Sequence, residues 1–412
     1  MMSNIIVFLS FLIYNSNSAS LKPVFYLPCL TCSPLFANIT EPDKYPQCPK
    51  PFINRQFWPI NYTLQKEYPD CYGVLIDSQF NETTNKVSPL PGISIFSTKF
   101  GDYESQSGFI PLANKLIKEE GYEKNKNLFG CCYDWIHYYL GLDYFFKEFT
   151  EKIEWAVNNN EGKKAVLIGL SLGTHFVHYF LTNLTTPEWR EKYIDRVVMA
   201  GTCPFGCFDP FTEFVQGFFS RLTTTERVKQ AAYKMPSCQL LSSNYIVSKN
   251  SIIFQNAKID DNLNIPKKDN RSSIERPKIS QFKNADIKAP EIRDYLINYG
   301  HLKGEALQIF NVIEKGLQSK PIELDVPLLV LYNSGIDTFS YYDASNGYDN
   351  LVKKTGKGDG TCQSESAEYI CDNWNHVKCF DPKSKDMTYA HIQMLKAPDN
   401  MERIIDFIDN PA

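Results

Sequence analysis

Ser171 stands between Gly169 and Gly173 in Gly-Leu-Ser-Leu-Gly, directly after the apolar run Ala165–Ile168. A mostly apolar helical pattern, THFVHYFLTNL, continues from it. Glycines on both sides of a serine at a strand-to-helix junction fit a tight turn that strains the serine backbone and exposes its hydroxyl. A hydroxyl held this way becomes a nucleophile for acyl chemistry once a base removes its proton. In that turn the N–H of the next residue, Leu172, faces the oxygen of the attacked carbonyl. The bland alternative is an incidental serine in a glycine turn. The strand before it and the helix after it favour the catalytic reading.

The partners of such a serine follow it in the order carboxylate, then histidine. His376 and His391 come late enough in the chain. His376 sits in CDNWNHVKC, between two cysteines, which reads as a tethered surface loop. His391, in TYAHIQML, precedes the terminal amphipathic stretch MERIIDFI, where the last loop of a sheet delivers a base. His137, His175, His178 and His301 precede any acid and read as structural. Two carboxylates compete for the middle position. Asp337 in SGIDTF lies nearer the buried run Val326–Tyr332, whereas Asp359 in TGKGDGTC lies between glycines. Either can orient an imidazole and stabilise its protonated form, and these residues alone leave the choice open.

The elements that must position this set alternate. KPVFYLP, NLFGCCYDWI, AVLIG, YIDRVVMAGTCPFG and VPLLVLYNSG read as buried strands. FIPLANKLIKEEGY, stopped at Gly121, and YFFKEFTEKIEWAVNNNEGKK read as helices. Alternation of this kind specifies an α/β architecture, a mostly parallel sheet with helices on both faces. Two stretches break it. From Phe36 to about Pro91 the chain is loop-rich, aromatic and cysteine-bearing, and from Phe208 to about Pro290 no strand–helix alternation is seen. In the second stretch Phe211, Phe214 and Phe218 recur at helical spacing, and after Ile253 the composition turns polar, as in an exposed insertion.

The 412 residues carry a formal charge of −4 without a basic or acidic block, which argues against nucleic acid as a partner. An apolar run from Ile5 to Tyr14, followed by Ser18-Ala19-Ser20, reads as a secretory signal peptide over residues 1–20. No other stretch is long enough for a transmembrane anchor. Five Asn-x-Ser/Thr sequons, at Asn38, Asn61, Asn81, Asn183 and Asn270, and twelve cysteines suit the secretory pathway, ending outside the cell or in a lysosome-like lumen. No cysteine–histidine spacing points to a metal, and Cys29-x-x-Cys32 alone is a weak metal or redox signal.

Taken in order, these segments resemble the lecithin:cholesterol acyltransferase family, which includes lysosomal phospholipase A and plant acyltransferases. KPVFYLP is similar to the family's first strand, GYEKNKNLFGCCYDWI to its Tyr-Asp-Trp block, and VLIGLSLG to its serine turn. GDGT resembles its acid loop and AHIQML its histidine segment. Cys48 and Cys71, with FWPIN between them, resemble a disulfide-closed lid that carries an interfacial tryptophan. The resemblance implies an α/β-hydrolase fold over 21–412, with a lid at about 40–90 and a cap at about 205–320. It implies Ser171 as nucleophile, Asp359 as acid, His391 as base, and oxyanion donors at the amides of Leu30 and Leu172. It implies Trp58 and Phe57 as lipid-facing residues and a Cys48–Cys71 disulfide.

The activity so implied is transfer of a fatty acyl chain from a glycerophospholipid, through an acyl-serine, to a lipid alcohol at a membrane or lipoprotein surface. It needs no cofactor or metal. A phospholipase A releasing free fatty acid is the alternative, and an inactive lipid-binding glycoprotein a third reading. The chain departs from the family pattern where glycines are usual in the first loop, reading Pro28-Cys29-Leu30-Thr31-Cys32. Cys132, Ile136 and Leu170 also replace the usual residues, and Cys203 and Cys207 add sulfur near the same pocket.

Overall fold

The structure is a computed structural model that describes residues 21–106, 108–219, 222–257, 259 and 285–410. The signal-peptide reading of 1–20 and the Asn270 sequon lie outside the described residues.

Six parallel strands form the central sheet. In chain order they are β1 (Val24–Leu27), β2 (Leu128–Gly130), β3 (Ala165–Leu170), β4 (Ile194–Ala200), β5 (Leu328–Leu331) and β6 (Val377–Phe380). Their spatial order is β6-β5-β4-β3-β1-β2, every pair parallel. Side chains of successive residues alternate between two cores, as the pleat requires. Phe25, Leu167, Val197 and Val330 face one core, while Tyr26, Ile168, Val198 and Leu331 face the other.

Helices cover both faces. α1 (Ile110–Glu120) and α5 (Pro398–Asp409) bury Leu112, Leu116, Ile404 and Ile408 on one side. α2 (Asp143–Asn159) and α3 (Leu172–Tyr179) bury Phe146, Phe149, Phe176 and Val177 on the other. α1 ends where Gly121 takes φ 77°, a left-handed cap that glycine adopts without a Cβ penalty. This is an α/β-hydrolase fold: a parallel sheet covered on both faces, with the serine turn joining β3 to α3.

Two stretches depart from the sequence reading. The segment read as loop-rich supplies strands Leu35–Ile39 and Arg55–Trp58 of a three-stranded antiparallel sheet, in which Leu35–Ile39 also pairs with Ile93–Phe96 beyond that segment, in the strand-like stretch GISIFSTKF. It also contains helices Tyr62–Glu67 and Pro69–Leu75. The surface loop around His376 continues into edge strand β6, whose alternate Lys and Cys residues lack the continuous apolar run of a central strand. Between β4 and β5 lie α4 (Phe208–Gln216), further helices, and strands Ile252–Ala257 and Ala285–Lys288. The latter two belong to a four-stranded sheet with Ile336–Asp343 and Val352–Gly358.

Asn81 and Asn183 are exposed, whereas Asn38 and Asn61 are half-buried. The Asn61 side chain caps its helix by accepting from the Leu64 N–H. Among the described residues no helix is long and apolar enough to cross a membrane.

Candidate active site

Ser171 leaves β3 at φ 57° and ψ −120°, a region that side chains rarely occupy. Its flanking glycines are required by contact. A Cβ on Gly169 would stand 2.5 Å from the Gly173 carbonyl oxygen, and one on Gly173 would stand 2.1 Å from that of Leu27. The Ser171 N–H donates to the Ala200 carbonyl at the end of β4 (3.0 Å). Its own carbonyl accepts from the N–H and the hydroxyl of Thr174 (2.8 and 2.6 Å). The strained turn is therefore pinned from the neighbouring strand and from the first turn of α3.

His391 Nδ1 lies 2.7 Å from Asp359 Oδ2, and the His391 backbone N–H donates to the Asp359 carbonyl (2.9 Å). The second carboxylate oxygen, Oδ1, accepts from the N–H groups of Cys362 (2.8 Å) and Thr361 (3.1 Å). A carboxylate partner places the ring proton on Nδ1 and leaves the Nε2 lone pair free to accept one. The ring rests on Gly201, where a Cβ would come within 3.0 Å of Cε1 and Nδ1. Ala200 thus holds the serine and Gly201 abuts the imidazole, which brings both to one corner of the sheet's carboxyl edge. Ser171, Asp359 and His391 are all buried. Asp337, the competing carboxylate, is exposed on its strand opposite Lys357.

The loop after β1 carries Leu30. Its glycines are replaced by a Cys29–Cys32 disulfide, and the loop is fastened by three rings. The Trp58 indole N–H donates to the Thr31 carbonyl (2.6 Å), the Tyr133 hydroxyl to that of Pro28 (2.9 Å), and the Trp135 indole to that of Ser33 (3.0 Å). Leu30 is half-buried above the core. As the first residue of α3, Leu172 has an N–H without a partner inside the helix. These rings explain the Tyr-Asp-Trp block: Tyr133 and Trp135 hold the loop, while Asp134 accepts from the His137 ring at 2.6 Å. Sequence reasoning noted the block but not its task.

Phe57 and Trp58 are not lipid-facing in this conformation. Phe57 is fully buried and Trp58 is 6% exposed. Trp58 packs edge-on against Trp135 and Phe219, at 5.1 and 5.6 Å. The tryptophan's hydrogen-bonding task explains its burial. In the same segment Ile53 and Tyr62 stand 61% and 79% exposed. Cys48 and Cys71 are joined, as are Cys207 with Cys362 and Cys371 with Cys379. His376 is exposed within the loop that the last bridge closes. The other histidines are occupied: His175 with the Tyr138 hydroxyl (2.9 Å), His178 with the Ile322 carbonyl (2.8 Å), and His301 stacked on Tyr233.

Sequence reasoning gave no role to Cys203 or Cys362. The Cys203 backbone N–H donates to Thr174 Oγ1 (3.2 Å); burial and the nearby Asp359 charge push the pKa of its thiol up. The sulfurs of Cys203, Cys207 and Cys362 lie within 4.8 Å of one another. Two of them are spent in a disulfide, so the cluster does not offer three thiolates to a metal.

A family model described as lecithin:cholesterol acyltransferase matches residues 93–403. The chain belongs to the lecithin:cholesterol acyltransferase family. The match begins beyond Leu30, Trp58 and the Cys48–Cys71 bridge, so the first loop and its neighbours rest on geometry alone. The chain is 34% identical over 169 residues to the lecithin-cholesterol acyltransferase-like 1 protein of Arabidopsis thaliana, covering 37% of this chain and 39% of that protein. It is 22% identical over 330 residues to a lysosomal phospholipase A and acyltransferase of Bos taurus, covering 75% and 72%. The chain thus spans about two fifths of the Arabidopsis relative. A solved structure of the Tle4-Tli4 complex superposes with a TM-score of 0.54 at 10% identity, over 96% of this chain and all of that one, a likeness of fold alone.

Proposed function

We propose that the protein is a lipid O-acyltransferase that takes a fatty acyl chain from a glycerophospholipid onto Ser171. In this reading His391 Nε2 accepts the Ser171 proton while its Nδ1–H stays on Asp359. The Ser171 oxygen attacks the ester carbonyl, and the developing oxyanion is met by the amides of Leu30 and Leu172. His391 then protonates the leaving lysophospholipid. A lipid alcohol reverses these steps and carries the acyl chain away, and water does the same where no alcohol reaches the serine. The observation that carries the reading is the buried His391–Asp359 pair beside a serine held at φ 57°. Loss of one oxyanion donor in such a site costs on the order of 100- to 1,000-fold in rate.

In this reading residues 40–90 act as a lid and 205–320 as a cap over the serine. The lid's contact with a membrane or lipoprotein surface falls to Ile53 and Tyr62, since Trp58 is engaged with the first loop. Four disulfides fit an oxidising compartment, which supports the secretory pathway and the glycan sites. Hydrolysis by a phospholipase A is favoured as second reading by the similarity to the bovine protein that carries both names.

Purified protein incubated with acyl-labelled phosphatidylcholine, with and without sterol or ceramide, tests these readings. Labelled sterol or ceramide ester supports the transferase, free fatty acid alone the phospholipase, and no turnover the inactive lipid-binding protein. Activity that survives Ser171→Ala removes the proposed nucleophile.

A further inference from the structure

We infer that the Cys207–Cys362 disulfide is a positioning element of the active site, which anchors the acid loop to the cap and makes the Asp359–His391 pairing depend on the redox state of one bridge. The inference rests on the reading of Ser171, Asp359 and His391 as the reacting set.

Residues 358–363 form one hydrogen-bonded unit around the carboxylate. The Asp359 N–H donates to the Cys362 carbonyl (3.1 Å), and the Cys362 N–H returns a bond to Asp359 Oδ1 (2.8 Å). The Gly360 N–H donates to Thr338 Oγ1 (2.8 Å). A Cβ on Gly358 would meet the Cys362 carbonyl at 2.3 Å, so this turn is closed as tightly as its backbone permits. Whatever moves Cys362 moves the carboxylate with it.

Cys362 is bonded across 155 residues to Cys207, the residue immediately before α4. Cys207 is itself fixed, its N–H donating to the Leu241 carbonyl (2.9 Å). Weaker contacts run along the same seam. The Phe208 N–H donates to Gln363 Oε1 (3.1 Å) and the Ser248 hydroxyl to Glu365 Oε2 (2.8 Å). The covalent link sits nearest the chemistry: Cys362 Sγ is 3.8 Å from His391 Nε2, the nitrogen that takes the serine proton. The bridge thus supports the acid through the backbone and walls the base through its sulfur.

Both cysteines are buried, with a cavity beside them. A cavity of about 270 Å³ is lined by Gly206, Phe208 and Gln363, the residues flanking both cysteines. A small dithiol that enters there supplies two electrons and two protons. The S–S bond breaks, Cys207 and Cys362 become thiols, and the reductant leaves as its cyclic disulfide. Cys203, a free thiol within 4.8 Å of both sulfurs, can then pair with Cys362 in place of Cys207. A test must therefore remove it.

The experiment compares Cys203→Ser with Cys203→Ser/Cys207→Ser in the full chain. Two readouts are taken: the low-field proton resonance of the His391 Nδ1–H, identified by its loss in His391→Gln, and turnover of phosphatidylcholine vesicles. The inference expects the double variant to lose or broaden that resonance. It also expects kcat to fall about 100-fold, the scale of an ångström-level misplacement, with KM within about twofold. An unchanged resonance and kcat in a folded double variant overturn it. Should the double variant fail to fold, the same readouts are taken on Cys203→Ser before and after a dithiol opens the bridge, with thiol mapping by mass spectrometry. Loss on reduction and recovery on reoxidation support the inference; indifference to an open bridge overturns it. A His391 resonance that responds to the bridge in a protein without ester turnover upholds the bridge and defeats the acyltransfer reading.

Discussion

Asp337 and Asp359 are the residues whose roles a single substitution separates. Asp359→Asn replaces the carboxylate that fixes the His391 tautomer, and kcat should fall about 10,000-fold, the scale seen when a triad acid becomes an amide. Asp337→Asn alters an exposed side chain opposite Lys357, and activity should stay within about twofold. Equal loss in both variants, measured on the same vesicles, would sink the assignment. The residues around the two carboxylates left this choice open, until the family resemblance implied Asp359, for a physical reason. Ile336 and Asp359 form a parallel bridge, so the two carboxylates stand at neighbouring strand ends. Only the direction in which each side chain leaves its strand separates them, and no local pattern encodes that. Ser171 was more legible, because a strand, two glycines and a helix in succession leave little else for the serine to do. Gly201 carried no such signal. It holds φ 54° with the imidazole 3.0 Å from where a Cβ would be. Gly201→Ala should therefore displace His391 and lower kcat by at least about tenfold while secondary structure, followed by circular dichroism, persists.

At the scale of elements, the central strands and their helices were readable because each announces itself by an apolar run or a 3.6-residue stripe. The first loop and the Cys48–Cys71 segment were not. A tryptophan in a disulfide-closed segment looks free until Trp135 and Phe219, distant in sequence, are seen packed around it. Cysteine pairing fails for the same reason, since Cys207 and Cys362 meet only through tertiary structure. Trp58→Phe keeps the ring but removes the donor to Thr31, so the loop bearing Leu30 should loosen. We expect kcat to fall about tenfold with vesicle binding retained; a loss of vesicle binding with unchanged kcat restores the lipid-facing role. A second contact ties the segment after helix Pro69–Leu75 to helix Glu226–Tyr233 and the residue that ends it. Asp77, 2% exposed two residues beyond helix Pro69–Leu75, pairs with Arg227 (2.8 Å) and Lys234 (2.5 Å). Removing one partner of a fully buried ion pair costs about 3–5 kcal/mol. Arg227 is half-exposed, so Asp77→Ala should cost less, about 2–3 kcal/mol. A denaturation midpoint equal to that of the parent counts against the latch.

For the whole molecule, acid should be a graded threat, and two histidines of α3 set where it begins. Burial, with the His178 charge adding to it, pulls the pKa of His175 from 6.5 down to about 3. Burial pulls that of His178 down to about 4, against a smaller opposing effect from the Ile322 carbonyl. Both are neutral in the folded protein near neutrality, whereas the unfolded chain takes up protons below about pH 6.5. The unfolded state therefore binds more protons between about pH 6.5 and 4, and stability falls as pH falls through that window. By pH 5 the loss is on the order of 2 kcal/mol for each histidine, a large part of the roughly 5–15 kcal/mol that folded domains possess. Asp325, held below the ordinary carboxylate range by its hydrogen bond from Arg190, adds its own loss only at lower pH. Calorimetric melting temperature should thus be flat above about pH 6.5 and decline towards pH 4. His178→Gln keeps an N–H for the Ile322 carbonyl but cannot titrate there, so it should halve the slope. A melting temperature independent of pH across that window would show the two rings to be hydrated or charged when folded. A measured decline means that this fold loses stability in acid in a way it does not near neutrality.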